Sequence, residues 1–244
     1  MVKYTKENPL RVFTAFSGYD SQCLALNRLG IEYDLVGWSE IDKAAITAHD
    51  ALFPQYKDRN YGDISKIDWS QVPDFDLFTY SSPCTDFSNA GQQAGGEEGS
   101  GTRSSLLWEC RKTILAKKPK YLMFENVKAL VTDKFKYLFD KWCDELESYG
   151  YSNFYQVLNA KDYGVPQSRE RIFMISILRT DDEPEPYYEF PRPIPLKKCV
   201  EDILEDNVPE KYYMKQEVTD KYIQTMSVEH SKDESVEMPE EELW

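Results

Sequence analysis

Within residues 1–180, short apolar runs of strand length alternate with amphipathic stretches of helical length, and this alternation constrains the fold more than any other feature. We predict strands over six segments, residues 11–16, 34–38, 76–80, 120–124, 154–158 and 171–178. Strands that alternate with helices are joined by right-handed crossovers, which favour a mostly parallel sheet with helices on both faces. The sequence therefore predicts an α/β fold.

The helical stretches between these strands carry signals of their own. The clearest has apolar residues at i, i+3, i+4, i+7 and i+11, which form one face of a helix. These residues are Phe135, Leu138, Phe139, Trp142 and Leu146. Another helix is predicted over residues 22–29 and ends at Gly30, because glycine readily adopts the left-handed conformation that follows many helices.

Charge divides the chain into two parts. The net charge of −14 at first sight argues against a protein that binds a polyanion by itself. Residues 181–244, however, hold 19 acidic and 7 basic side chains, a net charge of −12, which leaves −2 for residues 1–180. Residues 184–195 also contain five prolines. We therefore predict a folded domain over residues 1–180 and an acidic, proline-rich extension over residues 181–244, with a short helix near 200–204 and a weakly structured tail.

Several classes of protein are disfavoured by the composition. No apolar run reaches membrane-spanning length, and residues 1–7 do not lead into a signal-peptide apolar region. The chain has five cysteines without a C-x-x-C pair and two histidines, which disfavours structural zinc and a disulfide framework. We expect a cytoplasmic protein with no membrane segment and no metal site.

The loops after the predicted strands are the expected place for function, since ligands of such sheets bind beyond the carboxyl ends of strands. Gly18 allows a tight turn against a ligand, and is equally consistent with a plain turn before a helix. Glu40 follows about 20 residues later, where nucleoside-binding sheets carry an acid for the ribose hydroxyls. Ile41 is placed to pack on a base, and Asp42 to cap the next helix. Asp63 is a candidate acceptor for an exocyclic amine and equally a solvated turn residue.

A proline-cysteine pair follows the third predicted strand. Pro83 restricts Ser82 and fixes the turn, so we expect Cys84 to be presented at the end of the strand. A free thiol has a pKa of about 8.5 and needs help to react at neutral pH. Taken alone, a structural cysteine is the usual explanation.

Charged residues stand at the ends of two further strands. Glu125 ends a strongly apolar strand, and partial burial there raises the pKa of a carboxyl group and lets it donate a proton near neutral pH. Arg169 and Arg171 stand at i and i+2 before and in the last strand. We expect them to lie on opposite faces, one pointing into the site while its neighbour holds structure or phosphate.

The ordered set Phe-x-Gly, Pro-Cys, Glu-Asn-Val and Gln-x-Arg-x-Arg, each at a strand end, resembles the motifs of the DNA cytosine-C5 methyltransferases. The resemblance covers about residues 11–178. It implies a Rossmann-like methyltransferase sheet that binds S-adenosylmethionine and acts on a cytosine flipped out of double-stranded DNA.

The resemblance also implies roles for individual residues. Cys84 would attack C6 of the cytosine, and Glu125 would hydrogen-bond or protonate N3. Arg171 would bind the cytosine O2, with Arg169 supporting the loop. Residues 92–105, rich in glycine, would form a loop that closes over the base. The residues implied to line the cofactor pocket are Phe16, Gly18, Glu40, Ile41, Asp63, Ile64, Pro83 and Leu107.

Two departures from the family pattern matter. Asp20 stands where the family usually has a second glycine, and we expect it to accept a hydrogen bond from the ammonium group of the cofactor. Family members also continue past a segment like residues 190–196 into a target-recognition region and two further motifs, which are not visible here.

These departures leave three hypotheses about the active species. The first is the catalytic subunit of a split enzyme, with a second polypeptide supplying the missing parts. The second is a monomer that methylates weakly. The third is an inert relative that serves as a binding or regulatory protein. The DNA target, and the choice between a restriction-modification role and phage self-protection, stay open because the residues that read base edges are not visible.

Overall fold

The computed structural model describes residues 4–83, 98–100 and 103–230. Six strands form one sheet, and all six predicted strands are confirmed. Their bounds are β1 Leu10–Ala15, β2 Tyr33–Ser39, β3 Leu77–Tyr80, β4 Tyr121–Val127, β5 Tyr151–Asn159 and β6 Glu170–Leu178. The spatial order is β2-β1-β3-β4-β6-β5, with β1 to β4 parallel and β6 antiparallel to both its neighbours. The prediction of a mostly parallel sheet is confirmed.

The described residues form five α-helices. They are α1 Ser21–Leu29, α2 Lys43–Leu52, α3 Cys110–Lys117, α4 Lys136–Ser148 and α5 Gln216–His230. α1 ends at Gly30 in the left-handed conformation, with φ 64°, as predicted. The predicted apolar face of α4 is buried throughout, and its Trp142 indole N–H donates to the hydroxyl of Tyr80 on β3 at 3.1 Å.

Both faces of the sheet are covered, which follows from the alternation of side chains along β1. The neighbouring residues Val12 and Phe13 are both fully buried, yet they belong to different apolar clusters. The Val12 cluster includes Cys23 of α1, and the Phe13 cluster includes Trp142 of α4. Helices therefore pack on both faces, as expected of a sheet whose inner strands are apolar throughout.

The reversed direction of β6 brings its beginning to the edge where the other strands end. Arg171 is paired with Val127 at the end of β4 and with Leu158 near the end of β5. Side chains at the start of β6 therefore lie beside those at the ends of β4 and β5.

The chain divides into two compact units, Met1–Lys198 and Cys199–Trp244. The first unit extends past residue 180 because the proline-rich segment is bonded to it. The backbone N–H of Ile194 donates to the carbonyl of Asp162 at 2.8 Å. The Tyr163 hydroxyl donates to the carbonyl of Pro191 at 3.0 Å.

The second unit begins with the predicted short helix, which is a 3-10 helix over Glu201–Ile203. The prediction of a weakly structured tail was wrong for α5. No glycine or proline interrupts residues 216–230, and the side-chain amide of Gln216 donates to Asp220, one turn on, at 2.9 Å. Residues 231–244 lie outside the described part of the chain.

The described residues show neither a membrane-spanning helix nor a cluster of metal-binding side chains. No helix among them is long and apolar enough to cross a membrane. No group of three or more histidine, cysteine or acidic side chains among them is arranged to hold a metal ion.

Candidate active site

Two cavities open at the edge of the sheet where β1 to β5 end, with volumes of about 300 Å³ and about 700 Å³. The smaller is lined by Phe16, Ser39, Glu40, Ile41, Asp42, Gly62, Asp63, Ile64, Pro83 and Leu106. Six of the eight residues expected at the cofactor are in this set. The fold therefore brings the loops after β1, β2 and β3 together around one space.

Gly18 and Leu107, the other two, do not line the smaller cavity. Gly18 has φ 57°, and its N–H donates to the side chain of Glu40, which lines the cavity. Leu107 is 2% exposed and packs in the core. Leu106, and not Leu107, lines the smaller cavity, because successive side chains of the 3-10 helix Arg103–Glu109 point in directions about 120° apart.

Glu40 is held by three backbone donors. Its Oε2 accepts from the N–H of Gly18 at 2.9 Å, and its Oε1 accepts from the N–H groups of Ile41 at 2.8 Å and Asp42 at 2.9 Å. A carboxylate offers about four acceptor positions, so about one remains for a ligand. The same side chain thus joins the loops after β1 and β2 and faces the cavity.

Asn60 also builds this wall, and the sequence analysis missed it. Its Oδ1 accepts from the N–H of Gly62 at 2.8 Å and of Glu40 at 3.3 Å, and its Nδ2 donates to the Glu40 carbonyl at 3.1 Å. The signal was present in the sequence, because asparagine side chains commonly bond to backbone groups of a turn two residues on.

Asp63 fits both interpretations offered for it. Its carboxylate accepts from the N–H and the hydroxyl of Ser65 at 3.0 and 2.8 Å, and so caps a 3-10 helix over Ile64–Lys66. These hydrogen bonds, with a smaller contribution from Lys66, hold the pKa of Asp63 below its ordinary value. It is a turn residue, and it also lines the cavity as an ionised acceptor.

The larger cavity contains three of the four predicted catalytic side chains, Glu125, Arg169 and Arg171. Its other lining residues are Tyr19, Ser21, Gln22, Ala25, Ser81, Met123, Leu158, Ala160, Tyr163, Gln167 and Phe173. The expectation that the arginines lie on opposite faces was wrong. Side chains two positions apart in extended chain point the same way, so both reach the same cavity.

Glu125 and Arg171 form an ion pair, with the arginine Nε 3.2 Å from Oε1 and side chains only 24% and 22% exposed. Burial raises the pKa of Glu125 above its ordinary value of 4.5, and the positive charges of Arg171 and Arg169 oppose this shift. Burial outweighs both arginines, so the carboxyl group holds its proton to higher pH than a free glutamic acid does.

A three-residue segment forms part of the wall of both cavities. Ser81 lines the larger one and Pro83 lines the smaller one. Between them, the buried Ser82 accepts hydrogen bonds at its carbonyl and hydroxyl from the Nδ2 of Asn126, at 3.1 and 3.3 Å. This segment leads directly into Cys84, which lies outside the described residues together with the predicted closing loop at 92–97 and 101–102.

Asp20 does not take the place expected for it. The side chain is fully buried and lines neither cavity. Its carboxylate accepts from the Thr14 hydroxyl at 2.9 Å and from the N–H of Cys23 at 3.4 Å. The expected contact with an ammonium group of the cofactor was therefore wrong, because the left-handed backbone at this residue turns the carboxylate under the helix.

Residues 10–242 match the family of C-5 cytosine-specific DNA methylases. The chain belongs to this family. The match runs well past residue 178, where the recognised motifs end. Type II methyltransferase M2.ScrFI of Lactococcus lactis subsp. cremoris is 41% identical over 257 residues, covering 84% of this chain and 70% of the relative. Orphan methyltransferase M.Rho11sI of Bacillus phage rho11s is 36% identical, covering 92% of this chain but 49% of the relative.

Solved structures of two methyltransferases have the same fold as this chain. The S. pombe Dnmt2 methyltransferase superposes with a TM-score of 0.64 at 20% identity, covering 88% of this chain and 66% of that one. The Entamoeba histolytica methyltransferase EhMeth gives 0.66 at 18% identity, covering 86% and 64%. The chain thus has the Rossmann-like fold of methyltransferases, and it spans about half the length of the phage relative.

Proposed function

We propose that the protein transfers a methyl group from S-adenosylmethionine to C5 of a cytosine in double-stranded DNA, through a covalent adduct with Cys84. The observation that carries the proposal is the shared wall at residues 81–83. It separates a cavity suited to a nucleoside from a cavity that holds the Glu125–Arg171 pair, and its next residue is Cys84.

The smaller cavity fits the cofactor by the chemistry of its donor set. Glu40 keeps about one acceptor position, which suits a ribose hydroxyl. Ile41 is 66% exposed beside it and offers apolar surface to an adenine ring, and Asp63 offers an ionised acceptor for its amine. When bound there, S-adenosylmethionine supplies an activated methyl group on its sulfonium sulfur.

The larger cavity contains Glu125, which serves as the acid that the reaction needs. The Cys84 thiolate adds to C6, and Glu125 gives a proton to N3, so that the ring does not carry the added negative charge. The C5 carbon then takes the methyl group and the C5 proton leaves to solvent. The C6–S bond breaks to return the thiolate, and N3 returns its proton to Glu125. The raised pKa of Glu125 favours the protonated form required at the first step.

Arg171 is oriented by two contacts that leave most of its donors free. Its Nε faces Glu125, and one terminal nitrogen donates to the carbonyl of Glu170 at 2.7 Å. A guanidinium group has five N–H donors, so several remain for the cytosine O2. Arg169 adds a second positive charge to the same cavity.

The test uses DNA whose cytosines carry fluorine at C5, with tritiated S-adenosylmethionine. Fluorine does not leave as a proton does, so the enzyme is expected to stay covalently attached and to migrate with DNA on a denaturing gel. Cys84→Ala is expected to abolish the adduct while cofactor affinity stays within about twofold of the wild type. The matched control is Cys143→Ala, a half-buried cysteine on α4 that lines neither cavity, which is expected to keep the adduct.

The involvement of a second polypeptide stays a prediction. It is supported by the net charge of −12 over residues 181–244, because an acidic segment repels the phosphates of DNA. The trapping assay is therefore run with the chain alone and with the product of the neighbouring gene. Adduct formed by the chain alone would make the partner unnecessary. Normal cofactor binding without adduct in either arm would favour a binding or regulatory protein.

The names of the relatives, which include type II and orphan methyltransferases, support a proposal for the biological role. We propose a modification enzyme of one of these two kinds. A restriction endonuclease gene beside this one would assign it to restriction-modification, and a phage genome without such a gene would assign it to self-protection.

A further inference from the structure

A buried polar cluster lies under the loop that joins β1 to α1, and the proposed chemistry does not use it. Its members are Thr14, Asp20, Cys23 and His49, and all four are fully buried. The Asp20 carboxylate is at its centre and accepts from the Thr14 hydroxyl and the Cys23 N–H. Burial, and secondly the charge of Asp20, raise the pKa of the Cys23 thiol, so this thiol stays protonated.

The loop above the cluster is held in an unusual conformation. Phe16, Gly18 and Asp20 have φ angles of 54°, 57° and 66°. Residues other than glycine rarely adopt this region, and aspartate does so when its short side chain finds local hydrogen bonds. The bonds to Thr14 and Cys23 are therefore what allows an aspartate, rather than glycine, to stand here.

His49 joins the cluster from α2. Its ring stacks on Trp38 with centroids 3.7 Å apart, and its Nε2 is 3.7 Å from Oδ2 of Asp20. On the other side of the ring, Nδ1 is 3.6 Å from Oδ1 of Asp50, and both distances are too long for a hydrogen bond. Neither ring nitrogen has a hydrogen-bond partner among the described residues, which is uncommon for a buried polar group.

A helix cap alone does not account for this arrangement. Capping α1 requires one acceptor for the Cys23 N–H, and a serine or asparagine supplies it. A fully buried carboxylate is disfavoured by desolvation unless several donors surround it. Thr14 and His49 approach the carboxylate from outside α1, so the cluster links α1 to β1 and α2.

The two linked helices begin at different cavities. Tyr19 and Gln22, at the start of α1, line the larger cavity. Ile41 and Asp42, just before α2, line the smaller one. Asp20 and His49 therefore approach each other between the elements that lead into the two cavities.

We propose that Asp20 is a positioning residue that, through Thr14 and His49, fixes the β1–α1 loop and couples the cofactor cavity to the cavity of the flipped base. The inference rests on the proposed function for the identity of the two ligands. Filling of the smaller cavity is expected to change the environment of His49, because the residues just before α2 line that cavity.

The test compares Asp20→Asn and Asp20→Gly with the wild type. Asparagine and glycine both tolerate a positive φ, so the backbone keeps its conformation while the charge or the whole side chain is removed. Leu146→Ala is the matched control, because it destabilises a buried part of α4 that lines neither cavity. Melting temperature, cofactor affinity by calorimetry, and nitrogen NMR of the histidines are measured for each protein.

The chain has only two histidines, so His49 is assigned by its loss in His49→Gln and His230 serves as reference. In the wild type, added S-adenosylmethionine is expected to shift the ring signals of His49, although His49 lines neither cavity. Asp20→Asn is expected to shift those signals without cofactor and to weaken cofactor binding about tenfold. Leu146→Ala is expected to lower the melting temperature at least as much and to leave cofactor affinity unchanged.

Two results would overturn the proposal. One is a His49 signal that responds to neither Asp20→Asn nor bound cofactor. The other is a loss of cofactor affinity in Leu146→Ala as large as that in Asp20→Asn, which would make the effect a general one of stability. If the wild type binds no S-adenosylmethionine, the proposed function fails, while the response of His49 to Asp20→Asn still decides whether the two residues are paired.

Discussion

The two cavities treat their carboxylates in opposite ways. In the smaller cavity, Glu40 accepts three backbone hydrogen bonds, and hydrogen bonds from Ser65 lower the pKa of Asp63. In the larger cavity, burial raises the pKa of Glu125, although an arginine lies 3.2 Å away. Hydrogen bonds therefore favour the ionised form of Asp63, whereas burial favours the protonated form of Glu125.

This difference separates binding from chemistry. An acid that is held by several backbone N–H groups and keeps one acceptor position makes a rigid acceptor for hydroxyls and amines, because its position is set before the ligand arrives. An acid in a desolvated cavity changes its protonation state easily and so serves proton transfer. The fold places the two kinds of acid on either side of residues 81–83.

The largest effect on the rate is expected for Glu125→Gln, which changes the proton donor in the larger cavity. The amide has a similar shape but gives up no proton, so methyl transfer in a single turnover is expected to fall by about 10²–10⁴. Cofactor affinity measured by calorimetry should stay within about twofold, since Glu125 does not line the smaller cavity. The control is Glu170→Gln, at the start of β6 and paired with Lys128, which should retain the rate. Equal losses in both variants would refute the role of Glu125.

Glu40→Gln should affect the binding side alone. In either orientation of the amide, its NH2 group meets a backbone N–H that now donates to the carboxylate. The displaced side chain also loses its charged hydrogen bond to the cofactor, and about 1.5–3 kcal/mol for such a bond corresponds to a cofactor Kd raised about 10- to 100-fold. The rate at saturating cofactor should be unchanged. Asp42→Asn, which keeps a capping side chain in the same cavity, should change the Kd much less.

The pH dependence offers a smaller effect with a definite sign. Methyl transfer that uses protonated Glu125 should decline as pH rises through its raised pKa, by at most about tenfold per unit. The contribution of Glu125 to the free energy of unfolding also falls as pH rises. The folded pKa lies above the ordinary value of 4.5, so this contribution is complete below 4.5 and is lost as pH rises through the folded pKa. Rates at saturating cofactor and melting temperatures across pH measure both, and the declining limb should be absent in Glu125→Gln.

Asn126→Ala should have the smallest effect on activity, because it disturbs the wall between the cavities rather than either site. Ser82 would lose both hydrogen bonds from a buried amide, which lowers the free energy of unfolding by about 1–3 kcal/mol. Single-turnover rates are expected to fall about threefold, which corresponds to an activation free energy raised by about 0.6 kcal/mol. Asn153→Ala, which removes a bond to the Cys143 carbonyl far from both cavities, should lower stability while keeping the rate.

The sequence predicted the parts of the fold that depend on local periodicity. The strands and the buried face of α4 follow from spacing alone, which is why they are confirmed. The direction of β6 did not follow, because alternation of strands and helices does not say which strand is reversed. α5 was missed since its sequence has no strong apolar period, and only the lack of glycine and proline favoured a helix.

The site was predicted to the level of the loops but not of their side-chain partners. Glu125 and Arg171 were expected at one edge, and the structure pairs them. The choice of Leu106 over Leu107, and the burial of Asp20, depend on how a turn is oriented against the rest of the protein. Such orientation is decided by tertiary packing, which a single sequence does not display.

The hairpin of β5 and β6 sets a rule for which changes in length this protein can tolerate. Residues 160–169 join these strands and carry Ala160, Tyr163, Gln167 and Arg169 of the larger cavity, so an insertion here should displace lining side chains. A deletion of one residue inside β6 is different. It would move Arg171 to the opposite face of the sheet, since each strand position faces away from its neighbours. The residue count between Arg171 and the middle of β6 is therefore fixed by the pairing of β6 with β4 and β5.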